Sequence, residues 1–243
     1  MRRAGEIAAA ARQLAGSMVT VGTTTRSINK KVHDFILSRG AVPTFLNYRG
    51  FPASVCISIN EEIIHGVPSS RKLVAGDIVS IDIGATYNGY IGDCAATFIA
   101  GDGSPESKRL IEVTRTSFFE GFKFARVGYR VSDISRAIQQ YAEENGYSVV
   151  REYVGHGVGT KLHESPEVPN FVEVPRQKAD PRLFPGMTIA VEPMVNAGGA
   201  AIKIREDGNT IVTADGKNSA HYENTILITE GEPEILTICE GIL

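Results

Sequence analysis

Five polar residues interrupt stretches that otherwise read as buried strand: Asp82, Asp93, His156, Glu192 and Glu223. Asp82 and Asp93 flank Asn88-Gly89, the pair preferred in a two-residue hairpin turn. Counting outward from that turn pairs Asp82 with Ala95 and Asp93 with Gly84. Both carboxylates then project from one face as diagonal neighbours, about 7 to 8 Å apart at the backbone, while Val79, Ile81 and Ile83 occupy the other face. Strands disfavour Asp, so two on one face require a cause. Glu192 follows Thr188 to Val191 and Glu223 precedes Ile226 to Ile228, which places both in or beside buried sheet. A buried carboxylate is costly unless paired or metal-bound, and these segments contain few basic residues to pair with. Together the five side chains carry a charge that two divalent cations would neutralise. Their oxygen-rich donor set favours Mn, Co, Fe(II) or Mg over a thiolate-type zinc centre. The chemistry implied is hydrolysis at a dinuclear site, with bridging carboxylates holding the ions about 3.5 to 4 Å apart around an activated water.

The elements that must position these groups are legible in outline. Helix-favouring residues run from Arg2 to Leu14, and a second helical period follows in Ile28, Val32, Phe35 and Ile36, entered through Thr23 to Thr25 and stopped by Gly40. Ser54 to Asn60 alternates Val55, Ile57 and Ile59 with small or polar residues, which predicts a strand exposed on one face and leading to a loop with His65. The hairpin spans Asp77 to Ile99. Helices are expected from Pro105 to about Phe124 and from about Ser132 to Asn145, before Gly146. Strands return at Glu152 to Val158, Met187 to Val195, Ala200 to Arg205 and Thr210 to Ala214, with a final pair around Glu223 and Ile235. Hairpins rather than single strands separate the helices, so an α+β fold with antiparallel sheet fits better than a doubly wound parallel one.

Composition bounds the function. Lys+Arg number 25 and Asp+Glu 28, a net charge of −3, without the basic excess that direct nucleic-acid binding needs. Hydrophobic residues at 42 % suffice for a large core in a chain of 243 residues, read as a single catalytic domain over 1–243. No apolar run approaches the roughly 18 residues of a membrane span, and Ala8 to Ala11 lead into Arg12 and Gln13 rather than a signal-peptide core, so a cytoplasmic protein is expected. Cys56, Cys94 and Cys239 are far apart and odd in number, which excludes a disulfide framework.

The chain resembles the type I, bacterial-like methionine aminopeptidases. The resemblance runs from M-R-R-A-G at the start through S-V-C-I-S-I-N-E-E-I-I-H-G-V-P, I-D-I-G-A-T-Y-N-G-Y-I-G-D, G-H-G-V-G-T-K-L-H-E-S-P, V-E-P-M-V-N-A-G and H-Y-E-N-T-I. It implies the pita-bread fold, an α+β domain with antiparallel sheet, pseudo-twofold halves and outer helices. It implies two divalent ions (Mn, Co, Fe(II) or Zn), with Asp82 on one, Asp93 and Glu223 bridging both, and His156 and Glu192 completing the other's shell. His65 then lies near the substrate's amino terminus and His163 contacts the scissile carbonyl or the next residue's backbone, with Glu192 as proton carrier. His33 and His221 gain no role, and His33 reads as a surface residue of its helix.

The activity implied is removal of N-terminal methionine from nascent chains that have a small second residue, with at most transient ribosome contact. The pocket is where the chain departs from the family: Phe45 stands where many members have Cys, Phe51 where Tyr is common, Leu162 where Phe is usual and Asn209 where many have Trp, while Tyr48 is retained. Phe45, Tyr48, Phe51 and Leu162 are the expected apolar wall. A proline-specific aminopeptidase shares fold and ligands, but such proteins carry a long N-terminal domain for which 243 residues leave no room. The 31 residues from Glu192 to Glu223 cannot hold the helical insertion of the type II enzymes. A metal-free relative serving as a binding module does not explain five retained ligands.

Overall fold

The computed structural model describes residues 1–172 and 180–238. Helix α1 (Arg2–Ser17) turns Ala4, Ile7, Ala8, Ala11 and Ala15 inward, and these small side chains let it lie close on the sheet. Helix α2 (Thr25–Ser38) is capped by Thr24, whose hydroxyl accepts from the Ser27 N–H, and it buries Ile28, Val32 and Ile36 as the periodicity predicts. Strands β1 (Val42–Pro43), β2 (Cys56–Ile59) and β3 (Glu62–Ile64) precede the long hairpin of β4 (Ile78–Tyr87) and β5 (Tyr90–Ile99). Helix α3 (Pro105–Phe122) follows, capped by Ser104 with Pro105 in its first turn. In α4 (Val131–Glu144) the Asp133 carboxylate accepts from the Arg130 N–H. The chain then runs through β6 (Ser148–Val149), β7 (Gly155–Gly157), β8 (Glu164–Val168), β9 (Thr188–Val191) and β10 (Met194–Asn196). It ends in β11 (Ile202–Ile204), β12 (Ile211–Thr213), β13 (Ser219–His221), β14 (Glu223–Leu227) and β15 (Glu234–Ile235).

The main sheet has the order β1-β4-β5-β14-β9-β7-β8, with β2 also on β4 and β15 also on β14, and its pairings are antiparallel. Two small sheets, β13-β10-β6 and β11-β12-β3, complete it. Val79, Ile81 and Ile83 join α1 and α2 in one core, while Ile189, Val191 and Ile226 join Leu110 and Phe118 of α3 and Ile134 and Ile138 of α4 in another. Each half therefore supplies two helices and a set of antiparallel strands, and β5 meets β14 at the seam. This is the pita-bread arrangement that the motifs implied.

Several expectations need correction. The strand expected at Ser54 to Asn60 covers only Cys56–Ile59 and is buried on both faces, because its polar face also turns inward and the Ser58 hydroxyl accepts from the Gly66 N–H. Glu152 to Val158 is mostly loop, with strand only at Gly155–Gly157. His33 is half-buried rather than on the surface, its Nδ1 2.8 Å from the Ser54 hydroxyl. Cys56 and Cys94 are free and buried, and Cys239 lies outside the described residues.

Candidate metal centre

The hairpin register is the one counted from the turn. Asp82 pairs with Ala95 and Gly84 with Asp93, and Asn88 and Gly89 both have positive φ (49° and 80°), as a type I′ turn requires. The two carboxyl groups lie together on the face opposite Val79, Ile81 and Ile83, near enough for each to influence the other's titration.

Glu223 arrives from the other half. Strand β14 pairs with β5 only at Glu223↔Ala95 and Asn224↔Cys94, and side chains extend the seam where the ladder stops. At one end the Thr225 hydroxyl accepts from the Asp93 N–H at 3.0 Å and donates to the Asp93 carbonyl oxygen at 2.9 Å. At the other, the Thr97 hydroxyl makes the same two bonds with the backbone of His221, both at 2.9 Å. Pairing of β14 with β9, and of β9 with β7, then brings in Glu192 just past Val191 and His156 opposite Ala190.

His156 Nε2 lies 3.4 Å from Glu192 Oε1 and 3.9 Å from Asp93 Oδ2, and one ligand atom each from Asp93, His156 and Glu223 fall within 4.8 Å of one another. The ring's Nδ1 is 2.9 Å from the Gly157 carbonyl oxygen, which can only accept. Nδ1 is therefore the protonated nitrogen, and Nε2 presents its lone pair to the carboxylates. Asp82 Oδ1, Asp93 Oδ1 and Glu223 Oε1 are buried without a hydrogen-bond partner. Burial pushes the Asp82 carboxyl up to about 7, and burial with neighbouring carboxylates pushes Asp93, Glu192 and Glu223 well above the usual range. Among the described residues no Lys or Arg forms an ion pair with these four. Orphaned oxygens, a bare imidazole nitrogen and uncompensated buried acids are a donor set that fits divalent cations.

The centre opens into a cavity of about 530 Å³. Phe45, Phe51 and Leu162 form one apolar wall with Tyr48 packed against them, and Asn209 lies on the lining. His163 enters with its ring centroid 4.3 Å from that of His156, and its Nδ1 is 2.6 Å from the Tyr48 hydroxyl. Burial first, then His156 and Arg49, lower its pKa to about 4, so the ring is neutral at pH 7. His65 has φ 58°, a conformation costly for a side chain of its size, and its ring stands edge-on to Tyr153. The neighbouring Gly66 fixes it there, donating to the Ser58 hydroxyl and accepting from the Ile57 N–H. Burial lowers the pKa of His65 as well.

All eleven side chains singled out in the sequence line this one cavity. Sequence reasoning missed two neighbours. Cys56, which pairs directly with Asp82, lines the cavity, and the only signal for it was its place on the polar face of a strand. His221 is buried with neither ring nitrogen partnered, its Nε2 3.9 Å from Glu223 Oε2, and burial lowers its pKa to about 3. Its spacing of two from Glu223 on a separate short strand gave no warning of this.

The profile of metallopeptidase family M24 matches residues 1–230. The methionine aminopeptidase of Clostridium perfringens is 51 % identical over 238 residues, 98 % of this chain and 94 % of that protein. Methionine aminopeptidase 1 of Bacillus subtilis is 49 % identical over 237 residues, again 98 % and 94 %. The crystal structure of methionine aminopeptidase from Rickettsia prowazekii superposes with a TM-score of 0.94 at 41 % identity, covering 98 % of this chain and 95 % of that one.

Proposed function

The chain belongs to metallopeptidase family M24, among its methionine aminopeptidases, and from that premise we propose that it removes N-terminal methionine from nascent proteins and peptides with a small second residue. The observation that carries the reading at the level of the site is the convergence of unpartnered oxygens from Asp82, Asp93 and Glu223 with the bare Nε2 of His156 and the carboxyl of Glu192, at the floor of an apolar cavity. Asp82, Asp93, His156, Glu192 and Glu223 would hold two divalent ions, with Mn, Co, Fe(II) and Zn all suited to the donors. Bound there, the ions supply an activated water at neutral pH and polarise the peptide carbonyl.

The protein's own groups do the rest. Glu192 takes the proton from the attacking water and delivers it to the departing amine. With the Tyr48 hydroxyl donating to Nδ1, His163 carries its proton on Nε2 and donates it as a hydrogen bond to the oxyanion that develops on the scissile carbonyl. A pKa near 4 keeps His163 a neutral donor that does not repel cations beside it. His65, rigid in its strained turn, lies beside the substrate's amino terminus. Phe45, Tyr48, Phe51 and Leu162 receive the first side chain, and the length of methionine suits an unbranched channel better than β-branched Val or Ile.

The full chain acts as one catalytic domain in the cytoplasm, meeting nascent chains transiently. A peptide panel varying the first and second residues, run with Mn(II), Co(II) and Fe(II), tests the proposal. Met-Gly peptides should lead and bulky second residues should fail, whereas preference for Xaa-Pro peptides would overturn it.

A further inference from the structure

The seam that joins the two halves of the metal centre is short, since β5 and β14 pair at two positions, and one side chain from outside the sheet enters it. Arg12, on α1, places Nη1 3.0 Å from the Glu223 carbonyl oxygen, 3.3 Å from that of Ala95 and 3.1 Å from Asn224 Oδ1. Its Nη2 donates to the Thr237 carbonyl oxygen at 3.2 Å. Ala95 and Glu223 face each other across the seam, and Asp93 lies two residues from Ala95 on the same face of β5.

The acceptors are themselves fixed. The Thr237 hydroxyl donates to Asn224 Oδ1 at 3.0 Å and accepts from the Thr225 N–H at 3.1 Å, and Thr225 in turn holds the Asp93 backbone. Asn224 and Thr237 are buried, and the guanidinium lies over the Tyr222 ring, 6.0 Å from its centroid. Arg12 forms no ion pair with a carboxylate among the described residues. Its charge is met by neutral oxygens, two of which belong to the facing residues of the seam. The planar fork reaches the seam with Nη1 and Thr237 with Nη2 in one fixed geometry, whereas a single ammonium nitrogen can serve one of these two places but not tie them together. The fork is also anchored, because α1 is held by Ala4, Ala8, Ala11 and Ala15 in the core.

We propose that Arg12 is a positioning residue for the metal centre: by clamping the facing carbonyls of Ala95 and Glu223 it fixes the separation of the Asp93 and Glu223 carboxylates. Shared metal ligands must be held within about 0.5 Å of a productive geometry, and a two-pair ladder between separately packed halves does not define that alone. The inference rests on the reading of Asp93 and Glu223 as ligands common to both ions.

The test compares the full-length parent with Arg12→Met, which keeps the stem and removes the fork, and Arg12→Lys, which keeps the charge and removes the fork. Each chelator-stripped protein is titrated calorimetrically with Mn(II), and melting is followed by circular dichroism. Arg12→Met should bind Mn(II) about 10- to 100-fold more weakly than the parent, with Arg12→Lys between them. Saturating Mn(II) should restore much of kcat without a change in peptide KM. A lowered melting temperature with unchanged Mn(II) affinity in the folded variants would reduce Arg12 to a fold prop and overturn the proposal. Should Arg12→Met not fold, Arg12→Lys decides on the same criterion. A parent that takes up no Mn(II) would instead defeat the metal-centre reading itself, so the two failures are distinguishable.

Discussion

Phe45 offers the sharpest test of the specificity pocket, because it packs with Phe51, Leu162 and Tyr48 on one wall of the cavity and is only 7 % exposed. Truncation in Phe45→Ala removes six ring carbons from that wall and enlarges a cavity of about 530 Å³ without removing a metal ligand. A hydrophobic pocket discriminates by about 1 to 3 kcal/mol per methylene misfit. The preference for Met over Leu at the first position should therefore fall by roughly one to two orders of magnitude, with larger side chains gaining most. Since Phe45 already borders the cavity, stability should fall by less than the 3 to 5 kcal/mol or so of a Phe→Ala change inside a closed core. The assay is kcat/KM for Met, norleucine, Leu and Phe peptides with identical second residues, with metal content measured alongside. An unaltered ranking would show that Phe45 does not shape the pocket, and preference of the parent for Leu or Phe would remove methionine from the assignment.

Asp93→Ala and Glu223→Ala should each abolish activity and loss of the paired ions should be visible by calorimetry, while Asp82→Ala weakens one site selectively; two intact tight sites in the Asp93 variant would refute the bridging role. His163→Ala should lower kcat by about 10² with metal content unchanged, and loss of metal would make His163 a ligand instead. Stability should depend on pH in opposite ways with and without metal. Burial raises the Asp82 carboxyl from 3.8 to about 7, so between those values the metal-free folded protein holds a proton that the unfolded chain has released. Stability of the metal-free protein should then fall as pH rises through that window, and Mn(II) should reverse the trend because it replaces the proton. Melting curves from pH 4 to 8 with chelator or with Mn(II) check the sign.

How much of this was readable beforehand depended on sequence distance. The Asn88-Gly89 turn is a local signal that fixes the register of ten residues on either side, so the facing of Asp82 and Asp93 followed by counting. The start of α2 was signalled by Thr23 to Thr25 and that of α3 by Pro105, since such signals act within one turn. Glu192 and Glu223 stood out because a carboxylate beside an apolar run has few ways to be stable. Strands of two or three residues, such as β1, β6 and β13, carry no period long enough to detect. Arg12, Thr97 and Thr225 look like ordinary helix and strand residues, and their importance at the seam arises from contacts between residues 83 to 225 positions apart. The same holds for His221, since nothing local distinguishes a surface histidine from one buried beside Glu223.

On this reading, five side chains from both halves of the sheet hold a pair of divalent ions. Anomalous diffraction from crystals grown with Mn(II), with data recorded on either side of the manganese edge, tests it most directly. Two peaks about 3.5 to 4 Å apart are expected, with Asp93 and Glu223 in reach of both, Asp82 on one, and His156 and Glu192 on the other. Absence of anomalous density among these residues at saturating Mn(II), or peaks held by other side chains, would contradict it.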